Sequence, residues 1–195
     1  MNNFAVIDTE TTWDNQVMSI GVVIADGITK ELIDAKYFLL DPEYKMPGMY
    51  SSVLHLPGIK ESIIDSRESV MNQIANWLTL HGVDKILAYN AAFDKGHLPE
   101  LKEFIWCDIM RLAAYRQYNK RIPADADCYG TGKLKRGYGV EPILRMLGND
   151  KEYTETHNAY YDAMDELKIV QLLGHSLDSY DIAILDSNCR MCKNS

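Results

Sequence analysis

The stretch "FAVIDTETT", residues 4 to 12, joins four apolar residues to two acids on alternate positions, Asp8 and Glu10. A strand rises about 3.3 Å per residue and repeats its side-chain direction every two, so an extended chain puts both carboxylates on one face, roughly 7 Å apart. Like charges so placed must face water or hold a cation. A D-x-E pair alone is more often an ordinary strand-end feature than a ligand site, so the rest of the chain has to decide.

A second apolar run at 18 to 25 follows a polar stretch that includes Thr11, Thr12, Asp14 and Asn15, the grammar of a hairpin with a long turn. Residues 28 to 40 can supply a third antiparallel strand. Residues 41 to 64, with Pro42, Pro47, Gly48, Pro57 and Gly58, read as an irregular connection. The first helix is expected after Asp65, which forms a capping box with Glu68. Val70, Ile74, Trp77 and Leu78 mark its buried face and Gly82 stops it. A short strand at 85 to 94 with a polar end comes next, then a helix over 93 to 104 interrupted near Gly96 and Pro99. A brief strand precedes Cys107, and a helix over 109 to 119 is capped by Asp108. Residues 120 to 137 are polar and basic, and helices are expected over 140 to 147 and 158 to 173. Three early strands followed by helices alternating with strands predict an α/β layer fold with a mixed sheet. A length of 195 residues suits one full core, with a domain over 1 to 178 and a tail over 179 to 195 that has no clear assignment.

The balance of 20 basic and 28 acidic residues, net charge −8, argues against a protein that coats nucleic acid through its overall charge. Cys107, Cys128, Cys189 and Cys192 are too sparse for a disulfide framework, no signal segment is read before the first strand, and no apolar run reaches a membrane span. The expectation is a soluble, cytoplasmic protein with no membrane partner. Cys189 and Cys192 have C-x-x-C spacing, but a zinc site needs two further ligands.

Two more acids occupy similar places. Asp94 follows the strand "ILAYN", and Asp162 lies in "HNAYYDAMDELKIV", five residues after His157. Strand ends in an α/β fold open onto a crevice where a facing helix can add a carboxylate. In this order and at these separations, "FAVIDTETT", "AYNAAFD" and "HNAYYD" resemble the three motifs of the DEDD superfamily of 3'-to-5' exonucleases. His157 resembles the histidine of its DEDDh branch, which includes polymerase proofreading subunits, ribonuclease T and oligoribonuclease. "SIGVVIAD" also resembles the second strand of that fold. The motifs span residues 4 to 162, most of the chain.

The resemblance implies a ribonuclease-H-like mixed five-stranded sheet with flanking helices. It makes Asp8, Glu10, Asp94 and Asp162 the metal carboxylates, two Mg2+ the cofactors with Mn2+ able to substitute, and His157 the base. Phosphodiester hydrolysis needs an attacking hydroxide, neutralised phosphoryl oxygens and a stabilised leaving oxygen, which two divalent cations about 4 Å apart supply. Magnesium prefers oxygen ligands, and an imidazole with a reference pKa near 6.5 accepts a proton at neutral pH. On this reading Asp8 lies between the metals, Glu10 and Asp162 complete the site of the attacking water, and Asp94 supports the second ion through water.

Segments flanking the acids are candidate substrate contacts: Thr11, Thr12 and Trp13 after the first motif, and Asn90 and Phe93 in the second. Trp13 equally suits the core, Phe93 can pack beneath the site, and Asn90 can serve the local turn. Arg116, Lys120, Arg121, Lys133, Lys135 and Arg136, interleaved with Tyr115, Tyr118, Tyr129 and Tyr138, fit either a single-strand surface or a solvated loop. Asp165 and Glu166 are read as solvent-facing or salt-bridged, while Lys95, directly beside Asp94, is better placed to guide the backbone, though charge balance suffices to explain it. The expected activity is 3'-5' hydrolysis of terminal phosphodiesters of DNA or RNA with release of nucleoside 5'-monophosphates. The expected partner is a single-stranded or frayed 3' end, with a polymerase or a second copy of the chain as a further candidate. The alternatives are an exoribonuclease for small RNA or RNA 3' ends and a noncatalytic module that binds nucleic acid or a polymerase. A purely structural acidic domain leaves the ordered motifs without explanation.

Overall fold

A computed structural model describes residues 3–59 and 62–185. Six strands, β1 (Asn3–Thr11), β2 (Val17–Ala25), β3 (Leu32–Leu40), β4 (Ser62–Asp65), β5 (Val83–Ala88) and β6 (Ile105–Asp108), form one sheet in the order β4-β3-β2-β1-β5-β6. β1, β2 and β3 pair antiparallel, while β5 runs parallel to β1, β6 to β5, and β4 to β3. The sheet is therefore mixed, as expected, with six strands instead of five. The additional strand is β4, at the edge, inside the stretch read as irregular. Four residues are too few to show a period, and only pairing with β3 makes them a strand.

Helices α1 (Arg67–Leu80), α2 (Ala92–His97), α3 (Met110–Ala113), α4 (Val140–Gly148) and α5 (Ala159–Leu173) flank the sheet. The period of two along β1 divides the core. Ala5 and Ile7 pack with Val70, Ile74, Trp77 and Leu78 of α1, while Phe4 and Val6 pack with Ile143 and Leu144 of α4 and Ala163, Leu167 and Val170 of α5. Every residue of β2 is buried because both faces of this strand are covered.

Three expected helix details shift. The N-cap of α1 is Ser66, whose hydroxyl accepts the Ser69 N–H, while Asp65 instead accepts the Ser69 hydroxyl at 2.6 Å. The expected helix over 93 to 104 is α2 followed by a 3-10 turn, Pro99–Leu101. The helix expected over 109 to 119 ends at Ala113. The Ala113 carbonyl there takes a hydrogen bond from the buried Asn119 amide (2.7 Å), and the following backbone pairs Tyr115 with Lys133. From residue 179 to 185 the chain stays packed. Leu177–Ala183 is a 3-10 helix with Tyr180 fully buried, and the Leu185 N–H donates to the Trp106 carbonyl. Cys189 and Cys192 lie outside the described residues. Among the described residues no helix is long and apolar enough to cross a membrane.

Candidate active site

Asp8 and Glu10 continue the Phe4–Val6 side of β1, the side that meets α5. The register opposes Asp8 to Gly21 and Glu10 to Ser19, and it shifts immediately afterward, between Glu10 and Thr11. Gly21 has a steric reason to be glycine. A Cβ there would stand 1.9 Å from the Ala159 carbonyl oxygen, so the first turn of α5 is seated directly on the β2 backbone. That seat brings Asp162, one turn into α5, over the end of β1. Carboxylate oxygens of Asp8, Glu10 and Asp162 lie within 4.8 Å of one another.

The start of α5 is fixed from both directions. Asn158 is fully buried; its side-chain oxygen caps the Tyr160 N–H (3.1 Å), and its amide donates to the Val53 carbonyl (2.8 Å) and the Tyr37 hydroxyl (3.2 Å). His157, immediately before it, has φ 56°, a left-handed conformation that costs a non-glycine residue about 1 kcal/mol or more. Its ring stacks on Tyr50, with centroids 4.4 Å apart and planes 16° from parallel. Ligand atoms of His157, Asp162 and Glu155 form a second group within 4.8 Å, sharing Asp162 with the first.

Asp94, on the first turn of α2, is buried and accepts a 2.7 Å hydrogen bond from the Thr9 hydroxyl. It stands outside both groups but interacts electrostatically with Asp8. Glu166, expected at solvent or in a salt bridge, is instead 2% exposed and accepts the Tyr89 N–H at 3.0 Å. One helical turn beyond Asp162 places it under the same face, against the sheet. Asp165 keeps an ordinary role as hydrogen-bond partner of the Tyr153 hydroxyl. Glu155 carried no signal beyond its place two residues before His157. Glu166 carried one, its i+4 spacing from Asp162.

The acids crowd one another with little cationic relief. Burial, then Asp94, Glu166, Asp162 and Glu10, holds the Asp8 carboxyl well above its ordinary value. Glu10 is pushed up to about 8, by burial and then by Asp162, Glu155 and Asp94. Asp162 rises to about 8 through burial, then Glu155 and Asp165. Burial lifts Asp94 to about 7 against the pull of its Thr9 hydrogen bond, and burial followed by Asp94 raises Glu166. Buried Asp8 Oδ2 and Asp162 Oδ1 have no hydrogen-bond partner. Orphaned carboxylate oxygens at the convergence of three acids fit an oxygen-preferring divalent cation, which would reverse the sign of the local field.

The expected substrate contacts differ in exposure and in what they touch. Trp13 is 64% and Phe93 40% exposed, so neither belongs to the core. Phe93 packs on His97, ring centroids 4.3 Å apart. Thr11 is half-buried where β1 leaves the sheet. Thr12 is buried, its hydroxyl accepting the Gln16 N–H (3.2 Å) to brace the β1–β2 turn. Asn90 occupies the left-handed region, φ 61°, and donates its N–H to Asp108 (3.0 Å), a turn-forming role. Asp108 also accepts the Met110 N–H (3.0 Å) ahead of α3.

No family model matches this chain, and no curated protein matches it. Solved structures do. The chain is similar to exonuclease X in complex with 5' overhanging duplex DNA, with 19% identity over 92% of this chain and 99% of that one and a TM-score of 0.56. It is similar to the nuclease domain of 3'hExo, a DEDDh family member bound to rAMP, at 15% identity over 95% and 96% of the two chains, TM-score 0.63. It is also similar to E. coli exonuclease I in complex with a dT13 oligonucleotide, at 14% identity and TM-score 0.62, over 92% of this chain and 42% of that one. At these identities what is shared is the fold, a mixed sheet flanked by helices.

Proposed function

We propose that this protein is a metal-dependent 3'-to-5' exonuclease that hydrolyses terminal phosphodiesters of single-stranded DNA or RNA. The observation that carries the reading is the convergence of Asp8, Glu10 and Asp162 within 4.8 Å, with Asp8 Oδ2 and Asp162 Oδ1 buried and unpartnered. Structures that share the fold support it, since they hold single-stranded DNA, overhanging duplex DNA or rAMP.

Asp8, Glu10 and Asp162 would hold magnesium or manganese, with Asp94 and Glu166 adding negative potential from below. When bound, divalent cations supply neutralisation of the charge that builds on the phosphoryl and leaving oxygens. His157 accepts a proton from the attacking water; Tyr50 holds its ring in plane, and the Asn158 cap fixes the backbone beside it. The water oxygen bonds to phosphorus, the bond to the 3' oxygen breaks, and that oxygen takes a proton from solvent to leave as a hydroxyl on the shortened strand. Trp13 and Phe93 present exposed rings to the terminal nucleotide.

The test uses 5'-labelled DNA and RNA oligonucleotides, with free or blocked 3' ends, with and without Mg2+ or Mn2+. The expected result is metal-dependent stepwise shortening from free 3' ends only, abolished by Asp8→Ala without loss of fold. Absence of shortening on both nucleic acids, with metal binding confirmed by calorimetry, overturns the proposal.

A further inference from the structure

Residues 111 to 136 hold seven Lys and Arg against two Asp, so a segment of net +5 sits in a chain of net −8 and leaves the remainder at −13. Local bonds occupy part of this charge: Arg116 donates to the Ala126 carbonyl, Lys120 to the Gln117 carbonyl, and Lys135 pairs with Asp127. Arg111 and Lys133 are arranged differently. The Arg111 guanidinium lies 5.3 Å from the Tyr115 ring centre and donates to the Tyr115 hydroxyl (3.1 Å), while the Lys133 ammonium lies 4.7 Å from the Tyr138 ring centre. The backbone bridge between Tyr115 and Lys133 brings the two cation–ring pairs together, although they are distant in sequence. With Tyr89, Asn90 and Asp108, whose carboxylate Arg111 offsets in part, they line a cavity of about 540 Å³, within the range that accepts a small ligand or one nucleotide.

The far wall of this cavity belongs to the acidic centre. Tyr89 donates its N–H to Glu166, and Asn90 begins the turn that carries Asp94 into α2. One residue of backbone thus separates a site rich in carboxylates from a pocket in which two cations outweigh one carboxylate, with the Tyr138 ring exposed and the Tyr115 ring half-buried. We infer that this pocket receives the strand upstream of the bond being cut, Arg111 and Lys133 meeting backbone phosphates and Tyr115 and Tyr138 stacking on bases. The inference rests on the nuclease reading above and adds to it a substrate class, a single strand long enough to reach from the metal carboxylates across the β5–α2 turn. It also accounts for how so acidic a chain holds a polyanion: the attraction is local, with the chain's remaining charge turned against it.

The test compares wild type with the double variant Arg111→Ala, Lys133→Ala on single-stranded DNA and RNA of two and twelve nucleotides, in magnesium. Oligonucleotide binding is followed separately by fluorescence anisotropy in calcium. The variant is expected to lose about tenfold in kcat/KM on twelve-mers and less than twofold on dinucleotides, with an unchanged melting temperature. Its anisotropy affinity should depend less steeply on salt, the log–log slope becoming shallower by roughly 1.4 for two lost phosphate contacts. Equal affinity and an unchanged salt slope for twelve-mers overturn the inference. Should neither protein cut any oligonucleotide, the nuclease reading fails, while the anisotropy comparison still decides whether the pocket binds a strand.

Discussion

A methyl group added at position 21 should pull the two halves of the acidic centre apart. Gly21 faces Asp8 across the β1–β2 ladder, and a Cβ built on it lies 1.9 Å from the Ala159 oxygen, 2.3 Å from the Ala159 carbon and 2.6 Å from the Tyr160 nitrogen. All three are backbone atoms, so no side chain can rotate away. Moving the nearest contact out to 3.0 Å requires the start of α5 to retreat by about 1.1 Å. The helix is anchored by Ala163, Leu167 and Val170 in the core, so Gly21→Ala is expected to cost about 1–3 kcal/mol, or roughly 3–10 °C in melting temperature for a chain of this size. The larger effect is on the site, because Asp162 rides on the displaced turn. A misplacement near 1 Å is expected to lower kcat/KM by about 100-fold. Melting curves and steady-state assays across a magnesium titration measure both. Gly148→Ala is the control, since a Cβ there meets nothing within 4 Å and should leave both values at wild type. A Gly21→Ala protein within twofold of wild-type activity and 2 °C of its melting temperature would refute the claim that this contact sets the site.

The remaining predictions concern the acids and the base. Folded-state values near 8 for Glu10 and Asp162 and near 7 for Asp94 lie above the roughly 4 of an unfolded carboxyl, so the metal-free native state binds the extra protons. Their stabilising contribution is complete below about pH 4 and is lost as pH rises through 7 to 8; metal-free protein should therefore melt lower at pH 8.5 than at pH 6, with magnesium restoring more at the higher pH. Calorimetry showing a metal-free melting temperature that rises over this interval contradicts the assignment. Glu166→Gln preserves an acceptor for the Tyr89 N–H while removing a buried charge, so metal-free stability at pH 8 should increase and half-saturating magnesium should rise about tenfold; unchanged magnesium dependence would remove Glu166 from the site's electrostatics. His157→Ala should bind metal as wild type does and turn over about 100-fold or more slowly, and equal turnover would end its role as the base.

Elements with a local cause are legible in the residues alone. The alternation of side-chain direction along β1 puts Asp8 and Glu10 on one side, and an apolar run, covered on both faces in the fold, makes β2. The ordered motifs pointed to Asp94, His157 and Asp162 as companions of that pair. Other features depended on what lies across space. Ser62–Asp65 became a strand only because β3 offered an edge, and the helix after Asp108 stopped early because Asn119 and the Lys133 segment claimed the backbone beyond it. Spacing puts Glu166 on the side of α5 that Asp162 occupies, but only the seat of α5 on Gly21 turns that side toward the sheet and buries it. Tyr50 reaches His157, and Lys133 reaches Tyr115, through contacts that follow from neither period nor propensity. Short-range geometry decides which side of an element a residue occupies; only tertiary packing decides which sides meet, and the acidic centre and the cationic pocket beside it are both products of that meeting.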